Sequence, residues 1–175
     1  FHLLRRQAYA RPRKPLIVFT PKSMLRLRGA TSKVEDFTTG TFQPVIDDPN
    51  VGDRSKVERL ILTSGKVYYD LVGELEKAPN DKVAIVRVEQ YYPLPVIELT
   101  RVLAEYPNAE LVWVQDEPEN QGAWPFICLV LAKHLANDRM SVVSRPAAAA
   151  PSTGSAKVHA VEQEDLLRRA LSFDE

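Results

Sequence analysis

LILTSGKVYYDLVGEL, residues 60–75, changes its period in the middle. Leu60, Ile61 and Leu62 form a short unbroken apolar run, the pattern of a strand covered on both faces. Thr63, Ser64, Gly65 and Lys66 interrupt it with small and polar side chains. Val67, Leu71, Val72 and Leu75 then recur at helical spacing and predict a helix with one buried face. Strand, turn and helix in this order are the repeating signature of an α/β sheet.

The same alternation extends in both directions. Toward the amino terminus, Leu3–Tyr9 reads as the end of a helix closed before Pro12, and Leu16–Phe19 as a short β-rich strand. A helix is expected from Pro21. Residues 29–57 are the least regular region, with one possible strand at Phe42–Ile46. Toward the carboxyl terminus, strands are predicted at Val83–Val88, Leu111–Val114 and Met140–Val143. Helices are predicted at Pro95–Tyr106, with Ile97, Val102 and Leu103 inward, at Trp124–Leu135, and at Val161–Leu171. PAAAAPSTGS reads as a loop or tether. The start at Phe1, in what reads as mid-helix, marks the chain as a piece of something longer.

Apolar content of 45% and charged content of 26% are those of a soluble globular domain. No apolar run approaches the roughly 18 residues that span a bilayer, and Arg5 and Arg6 interrupt the only early apolar stretch, so no signal peptide is expected. A single cysteine, Cys128, excludes an internal disulfide and a thiolate zinc cage. Within FICLVL it reads as a buried structural thiol. A cytoplasmic setting is expected.

Net charge is zero, yet nine Lys or Arg residues precede the first acidic residue, Glu35. The other 141 residues hold 14 basic and 23 acidic side chains. A basic block is compatible with a solvated face or with an anion site. In wound α/β sheets ligands gather at the carboxyl ends of strands, where helix N-termini point. Thr20 is a candidate N-cap with Pro21 at the first helical position, which places Lys22 and Ser23 in the first turn. Ser64-Gly65-Lys66 repeats that arrangement. A lysine is poorly placed for the helix dipole there, so its presence asks for a reason. The segment is no Walker loop, because Leu60 stands where the first glycine belongs and Val67 replaces the metal-binding hydroxyl. Two helix starts carrying Lys, with Arg5, Arg6 and Arg26, could hold a phosphate or pyrophosphate; a merely capped helix is the alternative. Asp116, Glu117 and Glu119 read better as a capping or partner loop than as an acid/base pair. His2, His134 and His159 lack metal-ligand spacing. Tyr68, Tyr69, Tyr91 and Tyr92 form an aromatic rim suited to an interface, and the basic block lacks the interleaved aromatics of a nucleic-acid site.

HLLRRQ (2–7), RKPLIVFTPKSMLR (13–26), LTSGKVYYDL (62–71), VRVEQYYPLP (86–95), VQDEPENQGAWPF (114–126) and SRPAAAAPSTGSAKVHAVEQ (144–163) together resemble one family. It is the C-terminal region of the thiamine-diphosphate-dependent first component of the 2-oxoglutarate dehydrogenase complex, possibly its multifunctional fused variant. The resemblance is colinear over essentially the whole chain. It implies a three-layer, transketolase-like domain: a mainly parallel five-stranded sheet between helices, packed against its own chain and a twofold mate. Residues 1–14 would then end a helix or linker from the upstream catalytic domain, and 15–175 would be the domain itself. The parent decarboxylates 2-oxoglutarate with thiamine diphosphate and Mg2+, whose ligands and catalytic histidines lie before Phe1. A lipoyl-bearing acyltransferase and dihydrolipoyl dehydrogenase are the implied partners; no catalytic residue is assigned to this segment, and alone it should be inactive.

In the fused variant acetyl-CoA is an allosteric activator. Its phosphates match the basic rim, so Arg6, Thr20, Lys22, Ser23, Arg26, Ser64 and Lys66 are the candidate effector residues. Glu119, Asn120, Gln121, Trp124 and Arg145 are candidate interface residues, with Asn120 expected to cap the next helix and Arg145 to order against a partner. The alternatives are the same domain of another 2-oxoacid decarboxylase without an effector site, and a stand-alone CoA- or nucleotide-binding module.

Overall fold

The computed structural model describes residues 1–131, 133–135 and 140–173. They form two compact units, Phe1–Gln43 and Pro44–Glu175.

The first unit contains helix α1 (His2–Tyr9), two short 3-10 segments (Lys22–Arg26 and Arg28–Ala30) and helix α2 (Val34–Thr39). None of its residues is buried. The strand expected at Leu16–Phe19 does not form: Ile17 is 77% and Phe19 92% exposed. β propensity alone does not hold a strand, which needs a neighbour for its ladder bonds. The helix expected from Pro21 is a five-residue 3-10 segment, and Pro21 precedes it in extended conformation. Thr20 is therefore not its N-cap. Helix α2 was not legible in the sequence; it begins where the Lys33 amide donates to the Asp36 carboxylate at 2.8 Å.

The second unit carries a five-stranded sheet of β1 (Val45–Ile46), β2 (Arg59–Thr63), β3 (Val83–Val88), β4 (Glu110–Pro118) and β5 (Ser141–Arg145). Their spatial order is β1-β3-β2-β4-β5, with only β1 antiparallel. The fifth strand is thus Val45–Ile46 in place of Leu16–Phe19. Leu60 lies opposite Ala84 on one side and Leu111 on the other. Strand alternation divides the apolar residues between two faces. Leu60, Leu62, Val86 and Trp113 pack with Leu99, Val102, Ile127 and Leu131 of helices α4 (Val96–Leu103) and α5 (Trp124–Leu131). Ile61, Ile85, Val112 and Val114 pack with Val67 and Leu71 of α3 (Val67–Lys77) and Leu166 and Ala170 of α6 (Ala156–Leu171). Helices, sheet and helices make the three layers. Where two-residue β1 runs out, the buried Asp48 carboxylate accepts the Ile85 amide at 2.9 Å and finishes the edge of β3.

In α4 the inward stripe is Leu99, Val102 and the following Tyr106, and Ile97 is 81% exposed. Two residues correspond to about 200° around a helix, so a face built on Leu99 points Ile97 away. Val72 and Leu75 are half-buried on α3. Strand β4 continues four residues past Val114, with a register irregularity before Pro118. The predicted continuation of α5 to Leu135 partly lies outside the described residues.

Candidate functional site

At the carboxyl end of β2, Thr63 is buried and its hydroxyl donates to the Val114 carbonyl at 2.8 Å. Gly65 then takes φ +72°, a left-handed conformation that favours glycine, and turns the chain into α3. Lys66 stands at the N-cap and its ammonium pairs with Asp70 one turn later. That pair supplies the reason for a lysine at the wrong end of a helix dipole. Asp70 also accepts the Gln163 amide at 3.1 Å, and the same NH2 group donates to Asp116 at 3.0 Å. The Gln163 carbonyl accepts Arg145 Nη2 at 3.0 Å, and that nitrogen also lies 2.9 Å from His159 Nδ1. One glutamine on α6 thereby joins α3 and the carboxyl ends of β4 and β5 in a single polar chain. Both of its donors and its acceptor are used, which is what a partly buried polar network requires.

Beside it, Gln115 organises the end of β4 and the 119–122 loop that follows. The Gln115 side-chain carbonyl accepts Trp113 Nε1 at 3.0 Å and the Trp124 amide at 2.9 Å. Its NH2 group donates to the carbonyls of Pro118 at 3.0 Å and Gln121 at 2.8 Å. Gln115, not Asn120, supplies the acceptor at the start of α5. Asn120 instead exchanges two bonds with the backbone of Ala148, at 3.1 and 3.0 Å, and Gln121 adds a third at 2.7 Å. Gly122 at φ +66° fits because a Cβ there would meet the Gln115 amide at 3.1 Å.

The expected tyrosine rim is divided: the Arg87 guanidinium lies 4.6 Å from the Tyr68 ring centre and 5.7 Å from that of Tyr69, whereas Tyr91 packs edge-on against Trp113 and Tyr92 against Phe126. Burial raises the Tyr68 hydroxyl pKa, against the opposing pull of Arg87. Burial likewise raises Tyr91, with its hydrogen bond to Ser64 opposing.

Residues 31–171 match the family model for the 2-oxoglutarate dehydrogenase C-terminal region. The chain belongs to that family. It is 50% identical over 179 residues to the multifunctional 2-oxoglutarate metabolism enzyme of Mycobacterium sp. (strain JLS), covering 98% of this chain and 14% of the relative. The same identity holds over 177 residues to the enzyme of that name in Mycolicibacterium vanbaalenii, covering 97% of this chain and 14% of the relative. It also holds over 173 residues to the 2-oxoglutarate dehydrogenase E1/E2 component of Corynebacterium glutamicum, again covering 97% and 14%. The chain thus spans 14% of the length of these relatives.

In this 2-oxoglutarate dehydrogenase C-terminal chain the seven candidate effector residues fall in both units. Arg6 lies on α1 with its guanidinium 3.9 Å from the Phe42 ring centre. Thr20, Lys22, Ser23 and Arg26 are exposed in and before the first 3-10 segment. Lys22 and Arg26 form no ion pair among the described residues. Ser64 and Lys66 are half-buried at the β2–α3 turn of the sheet unit. Of the candidate interface residues, Glu119 and Asn120 are exposed, while Trp124 packs in part against the core of the α4–α5 face. Arg145 is 5% exposed and finds His159 and Gln163 within its own chain. Gln115 and Gln163 were missed because an amide carries no periodic or charge signal; only the clustering of polar residues after strand ends points toward them.

Proposed function

We propose that this chain serves as a regulatory and interface domain of a thiamine-dependent 2-oxoglutarate decarboxylase or dehydrogenase, with acetyl-CoA as its effector. One observation favours the effector role. The Ser64-Gly65-Lys66 turn is open: Gly65 is exposed, and nothing lies within 4 Å of the point a Cβ would occupy. An open glycine turn at a strand's carboxyl end, followed by a lysine and a helix start, admits a phosphate close to backbone amides. Exposed Lys22 and Arg26, with Arg6, Thr20 and Ser23, lie on the N-terminal unit and are proposed as effector residues in their own right. Binding at the turn would compete with Asp70 for Lys66 and so reach Gln163, the residue that ties α3 to β4 and β5.

Thiamine diphosphate with Mg2+ would supply the carbanion chemistry elsewhere in the parent chain. No group of three His, Cys, Asp or Glu able to hold a metal gathers among the described residues, and no step is assigned to this segment. The lipoyl-bearing acyltransferase, dihydrolipoyl dehydrogenase and a cytoplasmic setting belong to the same proposal. No described helix is long and apolar enough to cross a membrane.

The test is decarboxylation of 2-oxoglutarate by the full parent chain with and without acetyl-CoA. Lys66→Ala should keep the basal rate and lose the response. An unchanged response in Lys66→Ala removes the turn from the effector site.

The interface role rests on a separate observation. Leu16–Phe19 and Leu25 are exposed apolar residues, with Leu25 at 71%. An apolar, β-prone stretch without a ladder partner is suited to cover by another part of the parent assembly or by a second copy.

A further inference from the structure

Lys66 is already engaged by an anion of its own chain. Its ammonium pairs with Asp70 Oδ2 one turn along α3, and the two side chains are 35% and 26% exposed. A lysine four residues before its carboxylate is the weaker order for a helical pair, because the lysine stands against the helix dipole. The pair therefore adds little to α3, and its main effect is to occupy the lysine beside the open glycine turn.

Both partners have a second arrangement. Asp70 Oδ2 also accepts Gln163 Nε2 at 3.1 Å, so the carboxylate keeps a donor when the ammonium leaves. Lys66 follows Gly65, which is exposed with nothing within 4 Å of the point a Cβ would occupy, so an incoming anion can approach it. A contact whose members are satisfied when paired and again, with an anion bound, when parted is a two-state element.

Gln163 and Asp116 set its bias. The Gln163 NH2 group also donates to Asp116 Oδ1 at 3.0 Å, which brings the two carboxylates within about 6 Å of one another. Asp116 forms no ion pair among the described residues, and Arg145 meets the opposite end of the amide, at Gln163 Oε1. Parting Lys66 from Asp70 therefore leaves two like charges sharing one amide. The resting state is the paired one.

We propose that Asp70 is an autoinhibitory ligand: its carboxylate holds Lys66 at rest, and an effector phosphate entering the Ser64-Gly65-Lys66 turn has to displace it. This role of Asp70 rests on the reading of that turn as the effector site. Gln163 retains the freed carboxylate, and the charge of Asp116 opposes the exchange. Removing the Asp70 charge therefore strengthens effector binding, the opposite of what loss of a merely structural contact does.

Calorimetric titration of the full parent chain with acetyl-CoA tests this. Lys66→Ala should weaken binding, and Asp70→Asn should tighten it about fivefold, the worth of one half-exposed charge-assisted contact. Asp70→Ser, which cannot hold the lysine either, should give the same gain. In a Lys66→Ala background Asp70→Asn should change the affinity less than about twofold, because the contact it removes is already gone. Three outcomes overturn the proposal, and they differ in reach. Wild-type affinity in Lys66→Ala removes the turn from the effector site, and the autoinhibition with it. Weaker binding in Lys66→Ala, with unchanged binding in an Asp70→Asn protein of wild-type melting temperature, keeps the site and removes the autoinhibition. An equal gain with and without Lys66 means that Asp70 repels the anion through its field and does not compete for the lysine.

Discussion

Replacing Gln115 with leucine removes five hydrogen bonds at nearly constant volume. Gln115 is 3% exposed and Trp113 1%. The substitution leaves the Trp113 indole N–H, the Trp124 amide and the carbonyls of Glu117, Pro118 and Gln121 without their partner. A buried donor left bare costs about 1–3 kcal/mol. The indole N–H has no route to water, whereas the loop carbonyls regain part of theirs by moving outward. A loss of about 3–5 kcal/mol follows, a large share of a typical domain stability of about 5–15 kcal/mol. Urea denaturation followed by tryptophan emission reads it directly, because the chain's two tryptophans, Trp113 and Trp124, both bond to this side chain. Gly122→Ala should cost about 2–3 kcal/mol through its left-handed φ and a Cβ placed 3.0–3.1 Å from Glu117 and Gln115. Both changes break the same loop, so the double variant should lose less than the sum. A Gln115→Leu protein within about 1 kcal/mol of wild type would refute the claim that this amide holds the loop.

Stability should bend at both ends of the pH scale through one cluster. Burial pushes the Asp47 carboxyl up, but hydrogen bonds from Tyr106 at 2.7 Å, Arg54 at 2.6 Å and the Asp48 amide outweigh it and leave it lowered. Its stabilisation is therefore complete above its unfolded value near pH ~4 and lost as pH falls through the lower folded value. The Tyr106 hydroxyl is raised by burial and by Asp47, so its contribution holds below about pH 10 and fades above it. Asp47→Asn should flatten the acid limb of a melting-temperature profile; an unchanged limb would place acid sensitivity elsewhere. Arg59 donates to the last carbonyls of α6, at 3.0 Å to Arg169 and 3.1 Å to Ala170, while pairing with Glu110 at 2.6 Å. Arg59→Met should cost about 2–3 kcal/mol and speed amide exchange in the last turn of α6, and Arg59→Lys should not restore it, since a point charge cannot reproduce the fork.

The sheet unit was legible because its strands are fully covered. Leu60–Leu62 and Val83–Val88 carry their own signal in unbroken apolar runs, and α3 shows its face through Val67 and Leu71. The N-terminal unit was not, because Leu16–Phe19 has the composition of a strand but no neighbour to complete it. At the strand ends the turn chemistry of Ser64-Gly65-Lys66 was readable, since only glycine takes that φ without strain. The partners of Lys66 and Arg145 were not. Asp70 is local, at helical spacing from Lys66, yet Gln163 stands 93 residues beyond Asp70 and joins it only through the fold.

The division of charge along the chain acquires a physical sense from these contacts. In the sheet unit the rim neutralises itself: Lys66 is met by Asp70, Arg87 by Glu89, and Arg145 by Glu162. Charges paired in this way leave little net field for steering a ligand. The basic segment holds no acidic residue before Glu35, and its Lys22 and Arg26 are exposed without an ion pair among the described residues. Residues 1–34, with nine Lys or Arg and no acidic residue, are therefore the chain's main source of positive field. Affinity for a charged effector should then fall with added salt mainly through Lys22 and Arg26. If Lys22→Ala/Arg26→Ala leaves the salt dependence of acetyl-CoA activation in the parent chain unchanged, the basic segment is a solvated face and the short-range groups act alone.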